Sequence, residues 1–535
     1  MNSVLLIFFS SFSKFENPFC HIYINLISFE DRYISFGFLI ISFDWGKTLS
    51  DFDLVIRGGT VVNAAEISKC EVGIKEGRIV ALGERLGPGK QEIDATGKFV
   101  MPGGIDSHCH IDQRSSGGGR NAETFLSGTR SAACGGTTTI ICFAAQEKGE
   151  LLTPIVEDYH ERAKDSCIDY SFHLIISDPS DEVMNDEVPK LIDQGHRSLK
   201  IFMTYPRNRL NDAEILKVLE TAKRKQALVC VHAENHDAIM YMTEKLLAAE
   251  NNSTKFHAWA KPPLVEREAV HRVIMLSELL DVPIQIFHVS CEEAAEEIRR
   301  AQQRGLKIFS ETCPQYFVLT ERDLDRDQRE GAKFVCSPAP RTEGDQEAVW
   351  DHVRLGTIGN VTSDHAPYNI DELEGKFWAG DNAPFSQIAN GVPGLETRMP
   401  ITFSEGVVKG RIDLQTFVAV TSTNAARLFG LYPKKGTISV GADADICIWD
   451  AEKDVTITQD ILHHDTDYTP FEGLQVTGWP FITISRGKIV WENGDVRCEA
   501  GWGNFLARDP YDYIEPRGIL PTPFDPVALT TTKSK

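Results

Sequence analysis

Several apolar runs in this 535-residue chain end in side chains of the types that bind metal ions. Pro102-Gly103-Gly104-Ile105-Asp106-Ser107 leads into His108-Cys109-His110. Leu199-Lys200-Ile201-Phe202 carries a lysine among apolar neighbours. Val229-Cys230-Val231 ends in His232, Ile284-Gln285-Ile286-Phe287 in His288, and Val361-Thr362-Ser363 in Asp364. Imidazoles and carboxylates are the donors of a transition-metal centre. On a strand alternate residues share a face, so His108 and His110 point the same way. Singly, each has an ordinary explanation. A histidine at a strand end is commonly a hydrogen-bonded structural residue, and Asp364 could cap the loop after it. Their recurrence at one end of successive runs favours the metal centre.

Lys200 is the most telling member, because an unpaired ammonium among Leu199, Ile201 and Phe202 is costly. It either snorkels to a pocket mouth, pairs with an acid, or gives up its charge. In the last case CO₂ adds to the neutral amine, and the carbamate formed is a carboxylate long enough to bridge two cations.

The elements that must present these residues alternate. Strand-like runs end near His110, Phe143, Ser177, Thr204, His232, Val289, Glu311 and Asp364, each followed by a helical or loop stretch. This pattern predicts an α/β chain with a (β/α)₈ barrel over residues 102–433, whose chemistry sits at the C-terminal strand ends. Residues 51–101 and 434–500 show short strands and tight turns instead, and they share a phrase. Ile56-Arg57-Gly58 leads to Val61-Val62, as Ser485-Arg486-Gly487 leads to Ile489-Val490. One β-sandwich built from both flanks is expected. Residues 501–535, with Pro510, Pro516, Pro521, Pro523 and Pro526, read as an extended arm. Residues 1–50, crowded with Phe, Ile and Ser, look foreign to the rest: a disordered extension or a mis-assigned start. No basic residue precedes the first apolar run and no small-residue site closes it, which argues against a secretory signal. Neither apolar run approaches the ~20 residues of a membrane span.

Lys plus Arg is 55 and Asp plus Glu is 77, a net charge of −22. Such a surface repels phosphate backbones and anionic lipid heads, so neither nucleic acid nor membrane is an expected partner. The twelve cysteines form no C-x-x-C pair and several sit in apolar runs. They read as buried reduced thiols. That favours a cytoplasmic protein, in which the Asn252-Ser253-Thr254 sequon stays unmodified.

His108-x-His110, Lys200, His232-Ala233-Glu234-Asn235, His288-Val289-Ser290 and Thr362-Ser363-Asp364-His365 make the chain resemble the amidohydrolase superfamily. Within it, the chain resembles dihydropyrimidinases and D-hydantoinases over about residues 51–501. The specific motifs are Leu199-Lys200-Ile201-Phe202-Met203-Thr204-Tyr205, Glu311-Thr312-Cys313-Pro314-Gln315-Tyr316, Cys336-Ser337-Pro338 and Asn390-Gly391-Val392-Pro393-Gly394-Leu395-Glu396. The resemblance implies ring opening of 5,6-dihydropyrimidines or 5-substituted hydantoins to N-carbamoyl amino acids. It implies one metal held by His108, His110, carboxylated Lys200 and Asp364, and a second held by that carbamate, His232 and His288. Zn²⁺ suits this set, and Mn²⁺ or Co²⁺ is compatible with it. The metals would share a hydroxide, with Asp364 as base and later proton donor. Tyr205 would stabilise the oxyanion. Ser337 and Asn390 would align the ring imide, largely through backbone. Without the resemblance, Tyr205 reads equally as a packing aromatic, and Ser337 and Asn390 as turn residues. A homotetramer is also implied.

Two alternatives stand beside this reading: another cyclic amide such as allantoin on the same metal site, and a non-catalytic scaffold relative. Retention of all six ligand positions argues against the scaffold. Dihydroorotases carry an Arg two residues beyond the second His, where this chain has Asp112. The loop Ile111 to Arg120 is polar and Gly-rich where typical relatives carry apolar residues and a Pro-Phe pair. It predicts a pocket without apolar lids and weak discrimination among ring substituents.

Overall fold

The computed structural model describes residues 19–30, 33–44, 51–113, 120–370 and 374–531. The extension at 1–50 therefore lies largely outside the described residues. Within it, strands Phe19–Glu30 and Tyr33–Asp44 pair antiparallel with each other.

Eight parallel strands form the barrel in sequence order: β1 (Gly104–Asp106), β2 (Thr137–Ala145), β3 (Asp169–Ile175), β4 (Ser198–Phe202), β5 (Leu228–His232), β6 (Ile284–Ile286), β7 (Ile308–Thr312) and β8 (Asn360–Val361). First and last strands meet just beyond their ends, where Cys109 bridges His365 in parallel and the His110 N–H donates to the His365 carbonyl at 2.7 Å. Strands buried on both faces read as unbroken apolar runs, and their two-residue period sorts the faces. On β2, Ile140, Cys142 and Ala144 pack outward in the strand–helix layer, while Ile141 and Phe143 fill the barrel. On β4, Leu199 and Ile201 pack outward. Lys200 and Phe202 are thereby turned inward. Burying each such Leu, Ile or Phe contributes roughly 1.5–3 kcal/mol.

Helices follow the strands with explicit start signals. In helix Asp212–Lys225 the Asn211 side chain accepts the Glu214 N–H, and the Glu214 carboxylate accepts the Asn211 N–H. Acidic residues in its first turn and Lys223, Arg224 and Lys225 in its last complement the helix dipole.

The flanks interleave. A seven-stranded sheet runs Asp495–Val496, Lys488–Glu492, Gln475–Ser485, Ile446–Thr456, Phe99–Pro102, Thr60–Val62, Ile67–Lys69. N- and C-terminal flanks join in it where Ile446 to Trp449 pair antiparallel with Pro102 to Phe99. A four-stranded sheet is made of Arg78–Gly83, Glu71–Lys75, Phe52–Arg57 and Gly89–Asp94. Leu54, Ile56, Val72 and Ile74 of the small sheet share one core with Val100, Ile446, Ile448 and Ile484 of the large one. This is the expected sandwich. Lys435, 1% exposed, ties it to the barrel through Asp169 at 2.6 Å, Asp443 at 3.0 Å and Asp445 at 2.5 Å. The stretch after 501 runs along β3, with the Tyr170 N–H donating to the Asn504 carbonyl at 3.0 Å. Buried Arg508 donates to Ser198 Oγ and to the Phe172 carbonyl.

Candidate metal centre

All nine residues singled out from the sequence line one cavity of about 190 Å³ at the C-terminal ends of the strands. That volume is below the usual range for drug-sized ligands and suits one small ring. His108 and His110 lie just beyond β1, Lys200 points inward from β4, His232 ends β5, His288 follows β6, and Asp364 follows β8.

The imidazoles are oriented from behind, which decides the nitrogens they present. His108 Nδ1 bonds the Glu311 carboxylate, leaving Nε2 2.9 Å from Asp364 Oδ1. His110 Nδ1 bonds Gln113 Oε1 at 2.8 Å, leaving Nε2 3.4 Å from the same Asp364 oxygen. His232 Nε2 bonds Glu234 Oε2 at 2.6 Å, and its free Nδ1 faces His288 Nε2 at 2.8 Å. Ligand atoms of His108, His110 and Asp364 all fall within 4.8 Å of one another, as a shared cation requires.

The Lys200 amine is fully buried and has no hydrogen-bond partner among the described residues. It sits 3.9 Å from the Phe287 ring centroid and 4.7 Å from that of Phe202. Neither snorkelling nor an acid partner is realised. Burial pushes its pKa down to about 8, which brings the neutral amine within reach near neutral pH. Burial likewise lowers His232 to about 4 and holds His288 well below the ordinary imidazole range, so both rings are neutral near neutral pH. For His108, burial is outweighed by the Asp364 and Glu311 carboxylates, which raise it. Burial opposes ionisation of Asp364, but His108 and His110 hold its carboxyl well below the usual range.

Three residues of the site carry left-handed backbone without being glycine: Tyr205 (φ 67°), His288 (φ 40°) and Asp364 (φ 47°). Each such conformation costs on the order of 1–3 kcal/mol and persists where the surroundings over-determine it. The three turns aim these side chains off their strands and into the cavity.

On the opposite wall, the Ser337 hydroxyl donates to Glu234 Oε2 at 2.6 Å and accepts from buried Lys261. Its proton is committed within the protein. Asn390 Oδ1 is a buried acceptor without a partner. Tyr205 lies with its ring centroid 5.2 Å from that of His232, and burial together with Glu234 keeps its hydroxyl protonated.

The sequence reading missed the residues behind the ligands. Glu234 and Glu311 each carried a signal, Glu234 standing two residues after His232 in one quoted motif and Glu311 closing an apolar run and opening another motif, but Gln113 carried none. It also missed the mouth. Gln113 supplies a polar edge there, and residues 114–119 lie outside the described residues. Tyr368, Ile388, Pro206 and Trp378, the last 38% exposed, line the same cavity. The expectation of a pocket without apolar lining is corrected accordingly. Among the described residues, this apolar surface comes from the segments after β4 and β8.

Among known proteins, a model of the amidohydrolase family matches residues 99–490. The D-hydantoinase of Ralstonia pickettii is 42% identical over 461 residues, 86% of this chain and 99% of that protein. The D-hydantoinase of Geobacillus stearothermophilus is 42% identical over 461 residues, 85% of this chain and 97% of that protein. The crystal structure of a dihydropyrimidinase from Brevibacillus agri NCHU1002 superposes with a TM-score of 0.83 at 41% identity, covering 86% of this chain and 99% of that one.

Proposed function

The chain belongs to the amidohydrolase family, and from that premise we propose that it opens cyclic amides hydrolytically, converting 5,6-dihydropyrimidines and 5-substituted hydantoins to N-carbamoyl amino acids. One observation carries the reading. Four imidazoles, three of them turned by a partner behind the ring, share one cavity with a buried lysine amine that has no hydrogen-bond partner among the described residues.

These donors fit two divalent cations. His108, His110 and Asp364 would hold one ion and His232 with His288 the other. Lys200, carboxylated by CO₂, would bridge them and replace an unsolvated amine with an anion. Four nitrogens and oxygen anions favour Zn²⁺. When bound, the ions polarise the scissile carbonyl and bring the pKa of water to about 7. The Asp364 carboxylate, ionised at neutral pH, takes the proton of the attacking water and returns it to the leaving ring nitrogen. The Tyr205 hydroxyl donates to the oxygen that gains charge in the tetrahedral state. With the Ser337 hydroxyl committed to Glu234, the ring is read by the backbone at Ser337 and Asn390. Asn390 Oδ1 accepts the imide N–H.

The assembly we propose is a homotetramer. Leu264, Met275 and Leu279 on helix Pro263–Leu280, with Met240 and Tyr241 on helix His236–Ala248 and Trp259 between them, are all exposed. Such a face is the kind that a second copy covers. Among the described residues no helix is long and apolar enough to cross a membrane. Nine of the eleven described cysteines are buried free thiols, which supports a reducing compartment, the cytoplasm.

Purified metal-loaded protein assayed on dihydrouracil, hydantoin, 5-phenylhydantoin, allantoin and dihydroorotate tests the reading. Turnover of dihydrouracil and hydantoin is expected. Activity confined to allantoin or dihydroorotate would overturn it.

A further inference from the structure

Lys376 is a second buried lysine, at 0% exposure, and it stands behind the wall that carries Ser337 and Asn390. None of its partners among the described residues is a carboxylate. Its ammonium donates to three backbone carbonyls: Val335 at 2.8 Å, Ala389 at 2.9 Å and Gly391 at 2.5 Å. A buried ammonium is retained only where its protons are met, and three acceptors match its three N–H donors. A neutral amine has only two N–H donors, so the full tripod forms with the charged amine, whose pKa burial pushes down to about 7.

The three carbonyls belong to the two segments that hold the substrate-facing groups. Val335 stands two residues before Ser337, and Ala389 and Gly391 flank Asn390. The Gly391 N–H also donates to the Val335 carbonyl at 3.0 Å, and the Ala389 N–H to the Lys376 carbonyl at 3.1 Å. Lys376 is thus the post to which both segments are tied. A planar trans peptide sets its N–H opposite its C=O. Drawing the Ala389 carbonyl onto the ammonium therefore turns the Asn390 N–H away from it. The same charge polarises that peptide and makes the N–H a stronger donor.

We propose that Lys376 is a positioning residue that fixes the Asn390 peptide for the substrate's ring carbonyl. It acts on binding and not on the proton transfers at Asp364. This rests on the cyclic-amide reading above. The test compares Lys376→Met and Lys376→Gln with the parent enzyme, each loaded with metal, on hydantoin and dihydrouracil. Lys376→Met is expected to raise KM about tenfold, the worth of one charge-assisted hydrogen bond. Lys376→Gln, with two N–H donors, is expected to fall between Met and the parent. In both variants kcat stays within about threefold and metal content is unchanged, a split that general loosening of the fold does not produce. KM within about twofold of the parent in both variants overturns the proposal. So does a loss carried by kcat together with metal, or failure of both variants to fold. A parent enzyme that opens neither ring would instead overturn the cyclic-amide reading, so the two failures are told apart.

Discussion

Trp378 offers the sharpest test of what the cavity mouth selects. Bound between the metal centre and the Ser337–Asn390 wall, a ring has its remaining substituent directed outward, where Trp378, Tyr368 and Pro206 stand. The indole is 38% exposed. A tryptophan offers up to about 250 Å², so roughly 95 Å² is open to a ligand. A phenyl group laid on half of that removes about 100 Å² from water, counting both partners, or about 2.5 kcal/mol at ~25 cal/mol per Å². Ordering the phenyl torsion offsets about 0.5–1.5 kcal/mol of this. About 1–2 kcal/mol remains, a preference of about five- to thirtyfold in kcat/KM for 5-phenylhydantoin over hydantoin. Trp378→Ala should remove that preference and leave dihydrouracil untouched. Steady-state kinetics on the three substrates, with metal content measured in parallel, decides it. If the phenyl-to-hydrogen ratio is the same within about twofold in parent and variant, the mouth is not where the substituent lies, and the reasoning fails.

Three further outcomes are expected. Lys200→Ala should lose metal and turnover together, with partial recovery on adding a short carboxylic acid that occupies the bridge; elemental analysis showing two ions and normal turnover in the variant would refute the carbamate. Glu311→Gln, which weakens the hold on His108 Nδ1, should cost about 10–100-fold in metal affinity, read by chelator competition, with little change in thermal stability of the metal-loaded protein. Lys435→Met leaves Asp443 and Asp445 without their cation and Asp169 with Arg486 alone, and should lose about 3–5 kcal/mol in urea unfolding; a loss below about 1 kcal/mol would show that the cluster contributes little.

The barrel and the residues gathered in its cavity were legible because both are local properties of a run. Apolar stretches of the right length mark strands, and a polar residue closing such a run marks the catalytic end. The two-residue period also put His108 and His110 on one face. The residues that set ligand orientation were not legible in the same way. Glu311 meets His108 only because β7 and β1 flank β8 when the barrel closes, and nothing within either strand announces that meeting. Trp378 and Lys376 sit a few residues apart on one irregular segment, one outward at the cavity and the other fully buried. No periodicity in the chain distinguishes them. The left-handed turns at Tyr205, His288 and Asp364 carry no glycine to signal them.

Closure of the barrel between Cys109 and His365 also governs when this protein acquires its centre. The Ser363 hydroxyl donates to the His108 carbonyl across 255 positions of chain, and Asp364 meets His108 and His110 over a similar span. A nascent chain emerges from the ribosome with His108 and His110 long before Asp364, and contacts so distant in sequence form late. Were His108, His110 and Asp364 to hold a cation, its full coordination would wait on β8, and a polypeptide ending before β8 would keep His108 and His110 but lack Asp364.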